Sequence, residues 1–270
     1  MPQSSKKTRE RHLAKLAARR AAERRRKRRQ RIVATAVGLF LVLGLISGLG
    51  AVFLTGGKAK PSANPSATPT PTPAGSPGSS VACGASVPQA AFADKPSFKK
   101  APPVTIDKSK TYTVTMGTSC GAIELKLFPR QAPLAVNNFV FLARKHFYDG
   151  LFFHRIVSEF VIQGGDPKGT GEGGPGYSFK DELDNDLKYT VGTLAMANSG
   201  PNTNGSQFFI VAGSDGTTLP KNYTIFGQVT RRLDVVKQIN ALPTVGGDDP
   251  RTQDRSIATA YITKVTVKVS

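Results

Sequence analysis

Two short segments hold most of the side chains that could act on another molecule. The first, FFHRIVSEFVIQGGD, sets Arg155 beside His154 and brings in Phe160 and Gln163 a few residues later. On a strand, Arg155 and Phe153 share one face and His154 takes the other. The guanidinium is a permanent charge with donors in a fixed fork. His154 lies in an apolar run and reads as a structural residue with its bonds satisfied, not as a base. The second segment, LAMANSGPNTNGSQFFIV, packs Asn198, Asn202, Asn204 and Gln207 beside Phe208 and Phe209. Such amides can hold an extended peptide through its backbone. Asn and Gly are equally the residues of tight turns, and by composition alone the two readings stand level.

Bond-breaking chemistry finds little support. The chain has no HExxH, GxSxG or GxxxxGK[ST] pattern. Gly169, Gly171 and Gly174 satisfy GxGxxG, but Pro175-Gly176 follows, so no helix opens there to receive a dinucleotide. Those glycines read as a tight loop. No two carboxylates pair by spacing for acid–base work. With only His12, His146 and His154, two cysteines and no CxxC, a structural zinc site is not expected.

The elements that must position these residues show in the hydrophobic pattern. Tyr112–Thr118 and Ala122–Leu127 alternate as two strands around Ser119-Cys120-Gly121. Pro133 suits the first turn of a helix whose stripe of Ala135, Val136, Phe139, Val140 and Leu142 runs to about Arg144. Short β-rich runs follow at Phe152–Val157, Phe160–Gln163, Thr193–Ala197, Gln207–Val211 and Ile225–Val229. A second helix fits Leu233–Ala241, and Ile257–Val269 alternates as one long strand. The pattern predicts a mainly β domain over 111–270: a closed, eight-stranded antiparallel barrel capped by two helices.

The remaining chain is unlike this domain. The formal charge is +19, and fourteen lysines and arginines against Glu10 and Glu23 sit in residues 1–31. This basic tail runs directly into Ile32–Leu54, which carries no charge. As a helix that stretch spans about 34 Å, enough for a hydrocarbon core of about 30 Å. It reads as an uncleaved signal anchor, longer than a signal-peptide apolar region. The cationic flank places the tail in the cytoplasm and the domain outside, so the expected location is a single-pass membrane protein. The basic charge thus marks a membrane flank, and no nucleic-acid partner is expected. Residues 55–80 are a Pro/Ser/Thr-rich spacer with nothing to bury, and 81–110 form an irregular lead-in. Outside the cell a Cys83–Cys120 disulfide is expected, the alternative being two buried thiols.

FHRIVSEFVIQGGDPKGTGEGGPGYSFKDE and GTLAMANSGPNTNGSQFFIV resemble the two signature stretches of the cyclophilin family, and YTIFGQV and LDVVKQI extend the likeness. It runs from about Tyr112 to Val269, and the short loop after Gly164 resembles bacterial members. The resemblance implies an eight-stranded antiparallel barrel with two helices and a rotamase reaction: cis–trans isomerisation of the bond preceding proline. No bond breaks, so no nucleophile, metal or cofactor is needed. By their places in the motifs, Arg155 matches the catalytic arginine, Gln163 an orienting residue, and Asn198 a residue holding the substrate backbone. Phe160, Val161, Phe209, Leu219 and Tyr223 match the proline pocket. Gly171, Ala197, Ser199 and Gln207 match the neighbouring groove.

The chain departs from the family at three places. Thr218 stands where many members carry tryptophan, Tyr223 where many carry histidine, and Val161 where many carry methionine. The missing indole predicts weakened cyclosporin binding with activity largely kept. The expected function is isomerisation of X-Pro bonds in exported proteins. The alternative is a tethered proline-peptide binding module or chaperone with little turnover.

Overall fold

A computed structural model describes residues 80–270, apart from 248, 250 and 251. The tail 1–31, the apolar span 32–54 and the spacer up to 79 lie outside the described residues. Among the described residues, no helix is long and apolar enough to cross a membrane.

The strands are β1 (Ser80–Val81), β2 (Tyr112–Thr118), β3 (Gly121–Leu127), β4 (Arg155–Val157), β5 (Val161–Gly164), β6 (Thr193–Met196), β7 (Phe208–Val211), β8 (Ile225–Arg231), β9 (Ala258–Thr259) and β10 (Ile262–Val269). The helices are α1 (Pro133–Arg144) and α2 (Leu233–Asn240). Eight strands form one antiparallel sheet in the order β10-β2-β3-β8-β6-β7-β5-β4. A separate parallel pair joins β1 to β9.

Alternation builds the interior. Val114 and Met116 of β2, Ile123, Leu125 and Leu127 of β3, and Val136, Phe139 and Val140 of α1 share one core. Phe139 stacks on Tyr148 at 4.9 Å and meets Phe208 and Phe226 at 5.8 and 5.5 Å. Fully burying such a side chain contributes about 1.5–3 kcal/mol, so this cluster anchors α1 to the sheet. Pro133 opens α1, but Ala132 offers no side-chain cap. Glu182 supplies it from afar, its carboxylate accepting from the Leu134 and Ala135 amides at 2.9 and 3.0 Å.

Three expectations need correction. The sheet curls into an open half-barrel rather than closing. Its edge strands β4 and β10 do not pair with each other; the chain just before them is joined by the isolated bridge Phe152–Tyr261 and by bonds from Gly150 N to Ile262 O, Ile262 N to Leu151 O and Phe153 N to Ala260 O. The cause lies at the next residues, where the Ile156 amide donates to Asp254 O (2.7 Å), so the 252–255 turn takes the edge that β10 would pair. Second, Phe153 and Arg155 do not share a face. The chain enters strand geometry only at Arg155, and Phe153 and Ile156 both point into the core. Third, the run Ile257–Val269 breaks into β9 and β10.

Residues 81–110 are not loose against the domain. Cys83 is bonded to Cys120, in the turn between β2 and β3. Further along, Lys95 donates to the carbonyls of Ala90 and Asp149, and Thr105 N donates to Asn137 Oδ1 on α1 at 2.9 Å.

Candidate active site

Strand register assembles the central row. Arg155 of β4 lies opposite Gln163 of β5, Gln163 opposite Phe209 of β7, and Phe209 opposite Ala195 of β6. Each is flanked by core residues: Ile156, Ile162, Phe208 and Ile210, and Leu194. Cross-strand neighbours share a face, so the row lies on the outer side of the sheet. That side is apolar too. Val161, Phe209, Val211 and Ala195 are buried there although they lie outside the core. Burial on both faces explains why FVIQG and FFIV read as continuous apolar runs.

The segment 212–224 covers this outer face. Its 3₁₀ turn, Ser214–Thr218, is pinned by Asp215 N donating to Glu159 O at 3.0 Å, and Ala212 N donates to Phe160 O at 2.9 Å. It delivers Leu219 and Tyr223, both buried, and the Tyr223 ring meets Phe209 edge-on at 5.5 Å. Of the five expected pocket residues, Phe209 and Tyr223 are in ring contact, and Phe160, Val161 and Leu219 are buried. Burial pushes the Tyr223 hydroxyl up to about 12, with the Arg155 charge opposing. The arginine therefore sits within electrostatic reach of that apolar group.

Arg155 is itself held. Its Nε donates to Asp254 Oδ2 at 3.0 Å, and the two side chains are only 13% and 24% exposed. Burial lowers the arginine's pKa and raises that of Asp254, each opposed by the partner's charge. Beside it, Gln163 Nε2 donates to Gln207 Oε1 (3.0 Å), and Gln207 Nε2 donates to the carbonyls of Gly171 and Gly173 at 2.8 and 2.9 Å. Gln163 Oε1 is buried with no partner among the described residues. The loop carrying those glycines is wound on Asp166, whose carboxylate accepts from the amides of Lys168, Thr170 and Gly171. A Cβ on Gly173 would strike that carboxylate, so the loop needs glycine there.

The asparagine-rich segment serves turn and site together. Asn202 adopts a left-handed conformation, φ 62°, and Asn204 is fully buried. Asp181 gathers the loop, accepting from Asn202 N at 2.7 Å and from Asn204 Nδ2 at 2.8 Å. Asn198, expected to hold substrate, has its amide donors on Asn222 O (3.0 Å) and Asp181 Oδ1 (3.4 Å). Just beyond β6, Ala197 is buried with its amide donating to Gln207 O at 3.0 Å, and Ser199 is exposed. Thr218 is exposed, with its hydroxyl on Asp215 O at 2.8 Å.

His154 departs from the expectation of a satisfied residue. It is buried, and neither ring nitrogen has a hydrogen-bond partner among the described residues. Burial drives its pKa down to about 4 against the pull of Asp166, with Arg155 and Arg255 acting in the same direction as burial. Sequence reasoning also missed Asp254, Asp181 and Tyr189. The Tyr189 hydroxyl donates to Tyr223 O and accepts from Tyr223 N, at 2.8 and 3.1 Å, so it fixes the pocket's tyrosine. All three are single polar residues far along the chain from what they hold, and no spacing marks them.

The chain resembles many known proteins over this domain. Residues 113–267 match the family model described as cyclophilin type peptidyl-prolyl cis-trans isomerase/CLD. Peptidyl-prolyl cis-trans isomerase CYP18-2 of Arabidopsis thaliana is 42% identical over 153 residues, 55% of this chain and 93% of that protein. Human peptidyl-prolyl cis-trans isomerase-like 1 is 46% identical over 152 residues, 55% of this chain and 90% of the relative. Among solved structures, a Cryptosporidium parvum cyclophilin type isomerase crystallised in the presence of the dipeptide Ala-Pro superposes with a TM-score of 0.53 at 35% identity. That alignment covers 58% of this chain and 98% of that one. A family model that matches more than half of the residues, over the same strands that carry the Arg155 row, is decisive: the chain belongs to the cyclophilin type peptidyl-prolyl cis-trans isomerase family.

Proposed function

We propose that this isomerase acts on proline-containing chains emerging from a membrane, with Arg155 as the catalytic group and the Phe160–Phe209–Tyr223 cluster as the proline slot. The observation that carries the reading is a buried, oriented guanidinium within electrostatic reach of the Phe209–Tyr223 ring pair.

The peptide bond before proline resists rotation because the nitrogen lone pair delocalises into the carbonyl, a barrier of about 18–20 kcal/mol. Rotation localises the pair on nitrogen. A guanidinium beside that nitrogen interacts with the localised pair and has little to bind in either planar isomer. That is selective stabilisation of the transition state. Asp254 holds the Nε side of the fork, so the donor plane is set before substrate arrives. A dry slot strengthens the interaction, because charge is poorly screened away from water. Phe160, Val161, Phe209, Leu219 and Tyr223 supply apolar surface for the pyrrolidine ring. The unpartnered Gln163 Oε1 is an acceptor able to steady the guanidinium or a substrate N–H. With its amide donors already engaged, Asn198 contributes its backbone to the substrate strand, and Gly171, Ala197, Ser199 and Gln207 line the adjoining groove. The Ala-Pro dipeptide named for the Cryptosporidium structure supports a proline peptide as the ligand class.

The tether rests on the uncharged span 32–54 and its cationic flank. In this reading residues 1–31 are cytoplasmic, 55–80 are a spacer, and the enzyme works outside the cytoplasm on exported proteins. Turnover of a proline peptide by the full chain, lost about a hundredfold or more in Arg155→Ala, is the expected result. Peptide binding without turnover in the wild type would favour the binding-module alternative.

A further inference from the structure

The family match begins at residue 113, yet the described residues from 80 onward already lie on the domain. This strap is fixed at several points. β1 pairs with β9, Cys83 is bonded to Cys120, and the Ala90 backbone packs so closely on Gly150 that no Cβ would fit. Further on, the Phe98 ring packs on Phe141 of α1 at 4.9 Å and lies 6.4 Å from Tyr177.

Phe98 also reaches the wall of the groove. Its amide donates to Pro175 O at 2.8 Å, and a Cβ on Gly176, φ +96°, would lie 2.5 Å from Phe98 O. Strap and loop are therefore in backbone contact. The same loop presents the Gly171 and Gly173 carbonyls that hold Gln207, and Gln207 holds Gln163, opposite Arg155. On its other side, Tyr177 Oη donates to Asn138 Oδ1 at 2.7 Å, and Asn138 Nδ2 donates to Gly205 O at 2.9 Å. The 171–177 loop is thus clamped between α1 and the strap.

We propose that the strap, through Phe98, is a positioning element of the isomerase site that sets the groove wall beside the proline slot and so tunes which neighbouring substrate residue is accepted. This rests on the isomerase reading above. Phe98 touches no reacting atom, so its influence falls on substrate binding more than on the rotation step.

The test uses the full chain and a peptide series differing in the residue before proline, followed by exchange NMR. Phe98→Ala should raise KM about fivefold with kcat kept within about twofold, and should change the ranking of the series. Phe98→Tyr should restore both, and Phe92→Ser, at an exposed strap position, should change neither. A folded Phe98→Ala enzyme with unaltered KM and ranking overturns the proposal. If Phe98→Ala does not fold, Phe98→Leu is judged by the same criterion. Failure of both to fold would assign Phe98 to the fold and also overturn it. A wild type without turnover would instead sink the isomerase reading, whatever Phe98 does.

Discussion

Asp254 is the sharpest point at which to strike the site without touching a substrate-facing group. Its carboxylate takes the Nε–H of Arg155 at 3.0 Å, and the arginine side chain is 13% exposed. Two unit charges about 4 Å apart attract by about 4 kcal/mol at an effective dielectric of about 20. Breaking a buried pair costs about 3–5 kcal/mol, but Asp254 is 24% exposed, so water recovers part of that. We expect Asp254→Asn to cost the oriented arginine about 2 kcal/mol, or about thirtyfold in kcat/KM.

The assay is exchange NMR on a proline peptide, which works across pH. Burial raises the Asp254 pKa above the ordinary carboxylate value, so wild-type activity should fall on acidification before a normal carboxylate would titrate. The Asn variant should lack that limb. Stability moves the other way for this group. A raised folded pKa gives a contribution fully present below the unfolded value of about 4 and lost as pH rises through the folded one. Acid loss of activity through Asp254 is therefore separable from unfolding. An Asp254→Asn enzyme within twofold of wild type at pH 7, normally folded, would refute the reasoning.

Three further outcomes are expected. His154 is buried with its pKa lowered to about 4. Its contribution should be present above about pH 6.5 and lost as pH falls toward 4, about 3 kcal/mol in all. Urea midpoints at pH 7 and 4.5 should show this, and His154→Gln should flatten the slope; equal slopes would contradict it. Glu182→Ala removes both acceptors from the first turn of α1 and should lower stability by about 1–2 kcal/mol in thermal unfolding; an unchanged Tm would remove Glu182 as a cap. Cyclosporin should bind with Kd above about 100 nM, and Thr218→Trp should tighten it, because Thr218 is exposed and adjoins the buried Leu219; tight binding by the wild type would contradict this.

Local pattern determined a great deal here. Period-two alternation marked β2 and β3 to within a residue, and a stripe of spacing three and four marked α1. The signature stretches pointed to the family. With two cysteines in the chain, only one pairing was open, and Cys83 and Cys120 are joined. What pattern could not reach was everything depending on long-range placement. Asp254 meets Arg155 across 99 residues, and a lone carboxylate has no periodicity to announce its partner. Phe153 turned inward because the strand begins only at Arg155, and a run of apolar residues does not show where the pleat starts. The barrel stayed open because a hydrogen bond from Ile156 went to the 252–255 turn and not to β10. The strap over 80–111, poor in pattern and rich in proline, became an ordered brace through contacts that exist only once the barrel is built. Sequence fixes which faces are apolar. Tertiary structure decides which distant donor, acceptor or ring fills the remaining space, because those contacts are satisfied by proximity in the fold and not along the chain.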